Sequence, residues 1–431
     1  MRFSWRPVAS WRPVAVVAVL ALALTACTSS PPHAAPAPRP APASPVSSGA
    51  VPGCSTATAA GKQLPAGLAA LSAVPGDPFG VVVAADGRWS FVSLIAASQG
   101  NGGLGVFADT GSASPRLVHQ IPLPGPGGLG MTLTPDGRYL LVATGSGAAV
   151  VSVAAAEQGS RNAVLGTLTG TSAGRGASGA IEVAVSPDGR FAFVSLEYSA
   201  DIAVFNLQRA LASHFHTSGF VGDVPANIAP VGLAVSPNGD WLYSTSELGS
   251  AKALRLSARA SRNGALGAQG TLAVISLHKA ETDPAHAIVA TVGAGCSPVR
   301  VITSKNGGTV WVTARASNML LAFSASRLRG DPAHALIARV EVGEAPVGLA
   351  LVDGGRLVVV ADSNRFGQPG ASSSLAVVNV AAALAHKAAL AGYLRAGGFP
   401  RQMTLEPGGR ILLVTNFASQ QLETVNVTNL P

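Results

Sequence analysis

Seven residues before the glycine of a recurring Pro-Asp-Gly-like turn, the chain reads Gly80, Gly130, Glu182, Gly232, Arg300, Gly348 and Gln402. Glycine at four of these positions lets backbones crowd together. A carboxylate, a guanidinium and an amide at the other three then form a polar ring, with Arg401 beside Gln402. Such a ring has two uses. It grips an anionic or carbonyl-bearing ligand by charge-assisted hydrogen bonds, or Glu182 and Arg300 close on each other as a structural pair. The two uses are compatible.

A second polar set follows the strand after each turn: Glu197, Glu247 and Arg315, with Asp362, Asn364, Arg365 and Asn416 near by. Carboxylates and amides gathered from several repeats suit a hard cation such as Ca²⁺; solvated loop residues are the plainer reading. No residue is assigned as a metal ligand. The insertion from Gly249 to Gly270 carries Lys252, Arg255, Arg259 and Arg262 and no acid, which makes it either a basic flap over the rim or a surface loop. Other motifs lack their context. The run 125–130 fits GxGxxG without opening a helix, and 170–174 fits GxSxG without a strand–turn–helix. His214 and His216, placed in a strand, have no third ligand. His286 and His334 recur at equivalent places, assigned to outer strands, and read as scaffold.

The elements that must position these residues are repeats. Aligned on the turn glycine, the copies fall at Gly87, Gly137, Gly189, Gly239, Gly307, Gly355 and Gly409, with spacings of 50, 52, 50, 68, 48 and 54 residues. A period near fifty points to propeller blades or a solenoid. Each copy has an apolar segment, a tight turn, a second strand such as "RYLLVAT", a third such as "IAVFNL" and a fourth such as "AIVATV", or four antiparallel strands joined by short turns. Trp89, Tyr139, Phe191 and Trp241 share the column after the turn and are expected between blades. The last copy lacks a fourth strand, and an orphan strand in "LAALSAVPGDP" precedes the first. Pairing the two closes a ring and removes two sheet edges. The expected fold is an all-β, seven-bladed propeller over 54–431.

The phrases "SPDGR…FVS", "PDGR…LVAT" and "GGRILLVTN" resemble the YVTN repeat of lactonase-like seven-bladed propellers, over roughly Leu64 to Val427. The asparagine that ends the second strand in that repeat is kept only at Asn416; Leu94, Thr144, Leu196, Ser246, Ala314 and Asp362 replace it. The resemblance implies the fold. As to activity it implies only a lactone hydrolase as one option, with Glu182 as general base and Arg300 at the oxyanion.

The ends supply an address. Arg2, Arg6 and Arg12 precede the apolar run "VAVVAVLALAL" and then "LTAC", Leu24 to Cys27. This is a basic region, a core too short to span a bilayer and a small-residue cleavage site. "LTAC" resembles a bacterial lipobox, which makes 1–26 a signal peptide and Cys27 the lipidated residue; an ordinary signal peptide or membrane anchor is the alternative. Residues 27–53, rich in proline and alanine, form a tether. Cys54 and Cys296 then remain, either as one disulfide of an exported protein or as two thiols.

The net charge is +8, and +5 once 1–26, with three arginines and no acid, is removed. Charged residues are only 12% of the chain and no basic run occurs, which argues against nucleic acid. The leading expectation is therefore a monomeric, extracytoplasmic binding platform, lipid-anchored to the cell membrane. It needs no cofactor, and its channel-face loops meet a protein, a wall component or a small anion. Lactone hydrolysis and nucleic-acid binding through the basic insertion are the alternatives.

Overall fold

The computed structural model describes residues 51–65, 70–96, 102–112, 114–125, 127–170, 178–249, 268–367, 370 and 372–431. The expected signal peptide, Cys27, most of the expected tether and the centre of the basic insertion lie outside these residues, as does most of the 170–174 motif.

Alternation of apolar residues with turns every few residues produces seven four-stranded antiparallel sheets. Blades 1 to 6 occupy 77–121, 131–169, 180–225, 228–296, 298–341 and 346–395, and their strands add outward in chain order. Blade 7 takes its inner three strands from 400–426 and its outermost from Ala70–Ala73, which pairs antiparallel with Gln421–Asn426. The expected closure is therefore present. The core lies between blades. One cluster joins Phe91 and Leu104 of blade 1 to Leu140 and Val142 of blade 2, with Trp89 packed against it. The equivalent seam of blades 3 and 4 holds Phe191 and Phe193 with Leu242 and Ile275.

The connections are less simple than short turns. After the third strands of blades 2 to 6 come five short helices: Val153–Glu157, Leu207–Ala212, Leu277–Thr282, Ala325–Gly330 and Val380–Leu384. Each begins at a Ser or Asn (Ser152, Asn206, Ser276, Ser324, Asn379) whose side chain accepts the N–H three residues on, the usual satisfaction of a helix's first donors. His286 and His334 accordingly lie in 3₁₀ turns ahead of the outer strands, each against the aspartate three residues earlier, at 3.0 and 2.9 Å. His214 and His216 are exposed in the turn after a helix, and His214 has positive φ. They are not paired on a strand.

Residues 51–65 form a strap along the rim. Gln269 of blade 4 donates to Pro52 O, and Cys54 is bridged to Cys296. Ser55 N–H donates to Ala316 O of blade 5 and Ala59 N–H to Val342 O. Gln63 then pairs with Tyr393 of blade 6, and Leu64 is buried there. The next described residues are the closing strand of blade 7.

Candidate functional site

The inner strand of every blade but the second carries a register shift at one place: Pro78/Val81, Ala180/Val183, Pro230/Gly232, Pro298/Val301, Pro346/Leu349 and Pro400/Met403. These bulges contain the polar-ring position and the residue before it. A bulge leaves backbone groups out of the ladder and re-aims side chains, and the freed groups find one repeated solution. The N–H of Gly80, Glu182, Gly232, Arg300 and Gln402 donates to the hydroxyl thirteen residues later: Ser93, Ser195, Thr245, Thr313 and Thr415. Four of those hydroxyls donate onward to the next blade, at Leu129, Val299, Val347 and, across the closure, Phe79. Where blade 2 has Ala143 instead, Gly130 N–H reaches Ile181 O directly at 2.8 Å. The hydroxyl column was readable in "FVSL", "YSTS", "WVTA" and "LVTN" as a Ser or Thr at fixed distance, and the sequence reading passed over it.

Glycines in the ring position make room for the next blade. A Cβ on Gly130 would stand within contact of the Glu182 carboxylate, one on Gly232 would meet Val299 O and Arg300 Cα, and one on Gly348 would meet Arg401 O and Gln402 Cα. Arg300 thus crosses blade 4, donates to Val231 O at 3.2 Å and ends 3.3 Å from Glu182. Both side chains are about nine-tenths removed from solvent. Burial pushes the Glu182 carboxyl up, and Arg300 and Arg401 oppose it. This pair is the structural one anticipated, a strut across three blades.

One position nearer the strand start, the blades read Phe79, Leu129, Ile181, Val231, Val299, Val347 and then Arg401. The valines form one cluster, with Ile181 and Phe399 packed against it. Blades 3 to 6 therefore bring apolar side chains of this column together, while Leu129 packs in the core between blades 2 and 3 and blade 7 supplies a cation. The Arg401 guanidinium lies 3.8 Å from the centre of the Phe79 ring, 5.3 Å from Phe417 and 5.6 Å from Phe399. Its Nε is enclosed and has no hydrogen-bond partner, and the same holds for Gln402 Oε1. Burial and the positive charges of Arg300, Arg365 and Arg315 press its pKa well down, against the carboxylate of Glu197; Glu182 is a second carboxylate within its field. A guanidinium does not give up its proton in a protein, so the charge persists in surroundings that disfavour it. Phe399 holds φ of +56° at the residue before Pro400, as Ala229, Ser297 and Ala345 do before Pro230, Pro298 and Pro346, so this backbone belongs to the repeat and blade 7 places a bulky ring on it.

Around Arg401 stand the rim residues. Arg315 and Glu247, from blades 5 and 4, form an ion pair at 2.7 Å with both side chains largely buried. Arg365 lies 5.9 Å from the Phe399 ring, and its pKa is lowered by burial and by Arg315. Among the described residues, neither Arg365 nor Arg401 has an ion-pair partner. Glu197 is raised to about 7, by burial first and by Glu247 second, and is held down by Arg315, Arg401 and Arg365. The side chain of Glu344, which the sequence reading missed, accepts Phe366 N–H and so steadies the loop that carries Arg365.

The remaining candidates do not join this group. Asp362 is fully buried at the end of its strand, takes a hydrogen bond from Ser374, and is raised well above the usual carboxylate range by burial. Asn416, in the same column of blade 7, is equally buried and donates to Glu423 at 2.7 Å. Asn364 shapes its loop through positive φ and an N–H donated to Glu344 O. Glu247 is committed to Arg315. Among the described residues no three His, Cys, Asp or Glu side chains gather as metal ligands. A cavity of 490 Å³ opens on the opposite face beside Asp188, Trp241 and Glu281. It is built from turn and helix-start residues shared by the blades, and the mouth is distinguished by charge.

No family model matches the chain, and no curated protein does. Solved structures do. A chain of Kuenenia stuttgartiensis hydrazine synthase superposes with a TM-score of 0.60 at 14% identity, covering 83% of this chain and 97% of that one. A periplasmic gluconolactonase of Pseudomonas aeruginosa gives 0.52 at 21% identity, covering 70% and 81%. The likeness is one of fold. At such identities it extends to the propeller and not to residues of the mouth.

Proposed function

We propose that the protein is an exported, membrane-tethered propeller of the YVTN type whose channel mouth binds a small anionic ligand. One observation carries the ligand reading. Arg401 replaces an apolar residue of the axial ring and stands enclosed by rings and by other arginines, with no ion-pair partner among the described residues. The other six blades manage at this column with Phe, Leu, Ile or Val. The anchor rests on "LTAC" and the tether that follows. The ligand reading is tested by melting the protein at low salt with small anions, because a ligand of the native state raises the melting temperature by mass action. Equal response of wild type and Arg401→Gln to every anion would overturn it. The anchor is tested by fractionation: Cys27→Ser should leave the membrane fraction.

A second reading has its own observation. Glu197, with a pKa of about 7, is suited to accept a proton from water beside arginines that stabilise an oxyanion. This supports a lactone hydrolase with Glu197, in place of Glu182, as the base. Turnover of a lactone panel that disappears in Glu197→Gln is the expected result; turnover unchanged in that variant sinks the assignment.

A further inference from the structure

We infer that the anion taken at Arg401 is a monocarboxylate carrying a flat apolar or aromatic body, rather than a phosphate or sulfate. This rests on the anion-binding reading above and adds the chemical class. Three features point to it.

The first is the shape of the donor. A guanidinium 3.8 Å above the Phe79 ring lies against that ring, so its N–H groups lie to the side, in its own plane. Its Nε is enclosed and without a partner. A carboxylate is planar and meets a guanidinium edge with two parallel hydrogen bonds. The second is the surface beside it. Phe399 and Phe417 are both half-buried, with centroids 5.4 Å apart and planes inclined at 56°, and each also faces Arg401. An organic body extending from a bound carboxylate meets these rings, whereas an inorganic oxyanion leaves them wet. Offset and edge-on contacts of this kind favour a flat ligand.

The third is charge. Arg401 feels the three arginines Arg300, Arg365 and Arg315 and the carboxylates of Glu197 and Glu182, while Glu182 and Glu247 are already paired with Arg300 and Arg315. The surplus suits one negative charge. A dianion would meet Glu197, Glu182 and Glu247 with its second charge. The apolar ring of Phe79, Val231, Val299 and Val347, all buried, floors the site, so the ligand enters and leaves by the mouth face.

The test uses the full chain and four probes: benzoate, acetate, phosphate and sulfate, by calorimetry at low ionic strength. Benzoate is expected to bind at least tenfold more tightly than acetate and than either inorganic anion, with the preference lost in Arg401→Gln. Arg401→Lys keeps the charge but not the fork and should lose most of the benzoate affinity. Should the Arg401 variants fail to fold, Phe417→Ala keeps the cation and should bring benzoate down toward acetate. Phosphate or sulfate binding as well as benzoate would overturn the carboxylate class and leave the anion site standing. No binding by any probe would overturn the anion reading with it. Benzoate binding unaltered by Arg401→Gln and Phe417→Ala would place its site elsewhere and overturn the inference.

Discussion

At the scale of single residues, the mouth is a set of arginines with too few partners, and Glu197 decides how many. Its carboxyl titrates near 7, facing Glu247, Arg315, Arg365 and Arg401 from blades 4 to 7. Protonated, it leaves the arginines to a ligand; ionised, it competes for them. Anion affinity should therefore fall as pH rises through about 7, and Glu197→Gln should flatten that dependence in binding measured from pH 5.5 to 8.5. The Glu182–Arg300 pair predicts the opposite kind of effect. Removing one partner leaves the other buried and uncompensated, which costs about 3–5 kcal/mol. Glu182→Leu alone should unfold at markedly lower urea, and adding Arg300→Leu should recover much of the loss. Sequence made Glu182 and Arg300 visible because they break a glycine column. It hid the deeper oddity one residue earlier, where the contrast of Arg401 with six apolar residues appears only when the adjacent column is aligned. Arg315 and Glu247 are 68 residues apart, the spacing of the fourth and fifth turn glycines, so they share one column of adjacent blades; the column was legible, but that its two members pair was not.

At the scale of the element, strand and turn were legible because glycine, proline and alternation are local signals. The five helices were not. Each has only five or six residues, too few for a helical period, and the Ser and Asn caps were the one cue. The bulges were hidden too, since a bulge shows in pairing rather than in composition. Their hydroxyl staples nevertheless give a sharp expectation. Thr415 accepts Gln402 N–H and donates to Phe79 O across the closure. Thr415→Val leaves those buried groups unpaired at a cost of about 1–3 kcal/mol, readable as a lower urea midpoint. Asp362 offers a second. Its folded pKa lies above its unfolded one, so the native state holds the proton more firmly, and its contribution is full below about 3.9 and declines as pH rises. Asp362→Asn, the residue blade 7 has in that column, should hold its melting temperature better than wild type between pH 5 and 8.

At the scale of the whole molecule, the ring is shut twice. Four residue pairs join Ala70–Ala73 to blade 7, and the Cys54–Cys296 bridge fixes the strap to blade 4 across 242 residues of sequence. Closing a loop of that length removes about 5 kcal/mol of unfolded-chain freedom in the chain-entropy account. Cys54→Ser with Cys296→Ser should lower the melting temperature, and reductant should do the same to wild type alone. The count of two remaining cysteines suggested this bridge, but only the fold, by carrying the strap past blade 4, brings them together. The bridge also sets a load path. Tension arriving along the chain ahead of residue 51 meets the covalent link on blade 4 before it can reach the closing strand. A strand held by four pairs would peel if pulled from its end. Here it is slack under traction, and a pulling experiment should find the propeller yielding at low force only after the sulfurs are reduced.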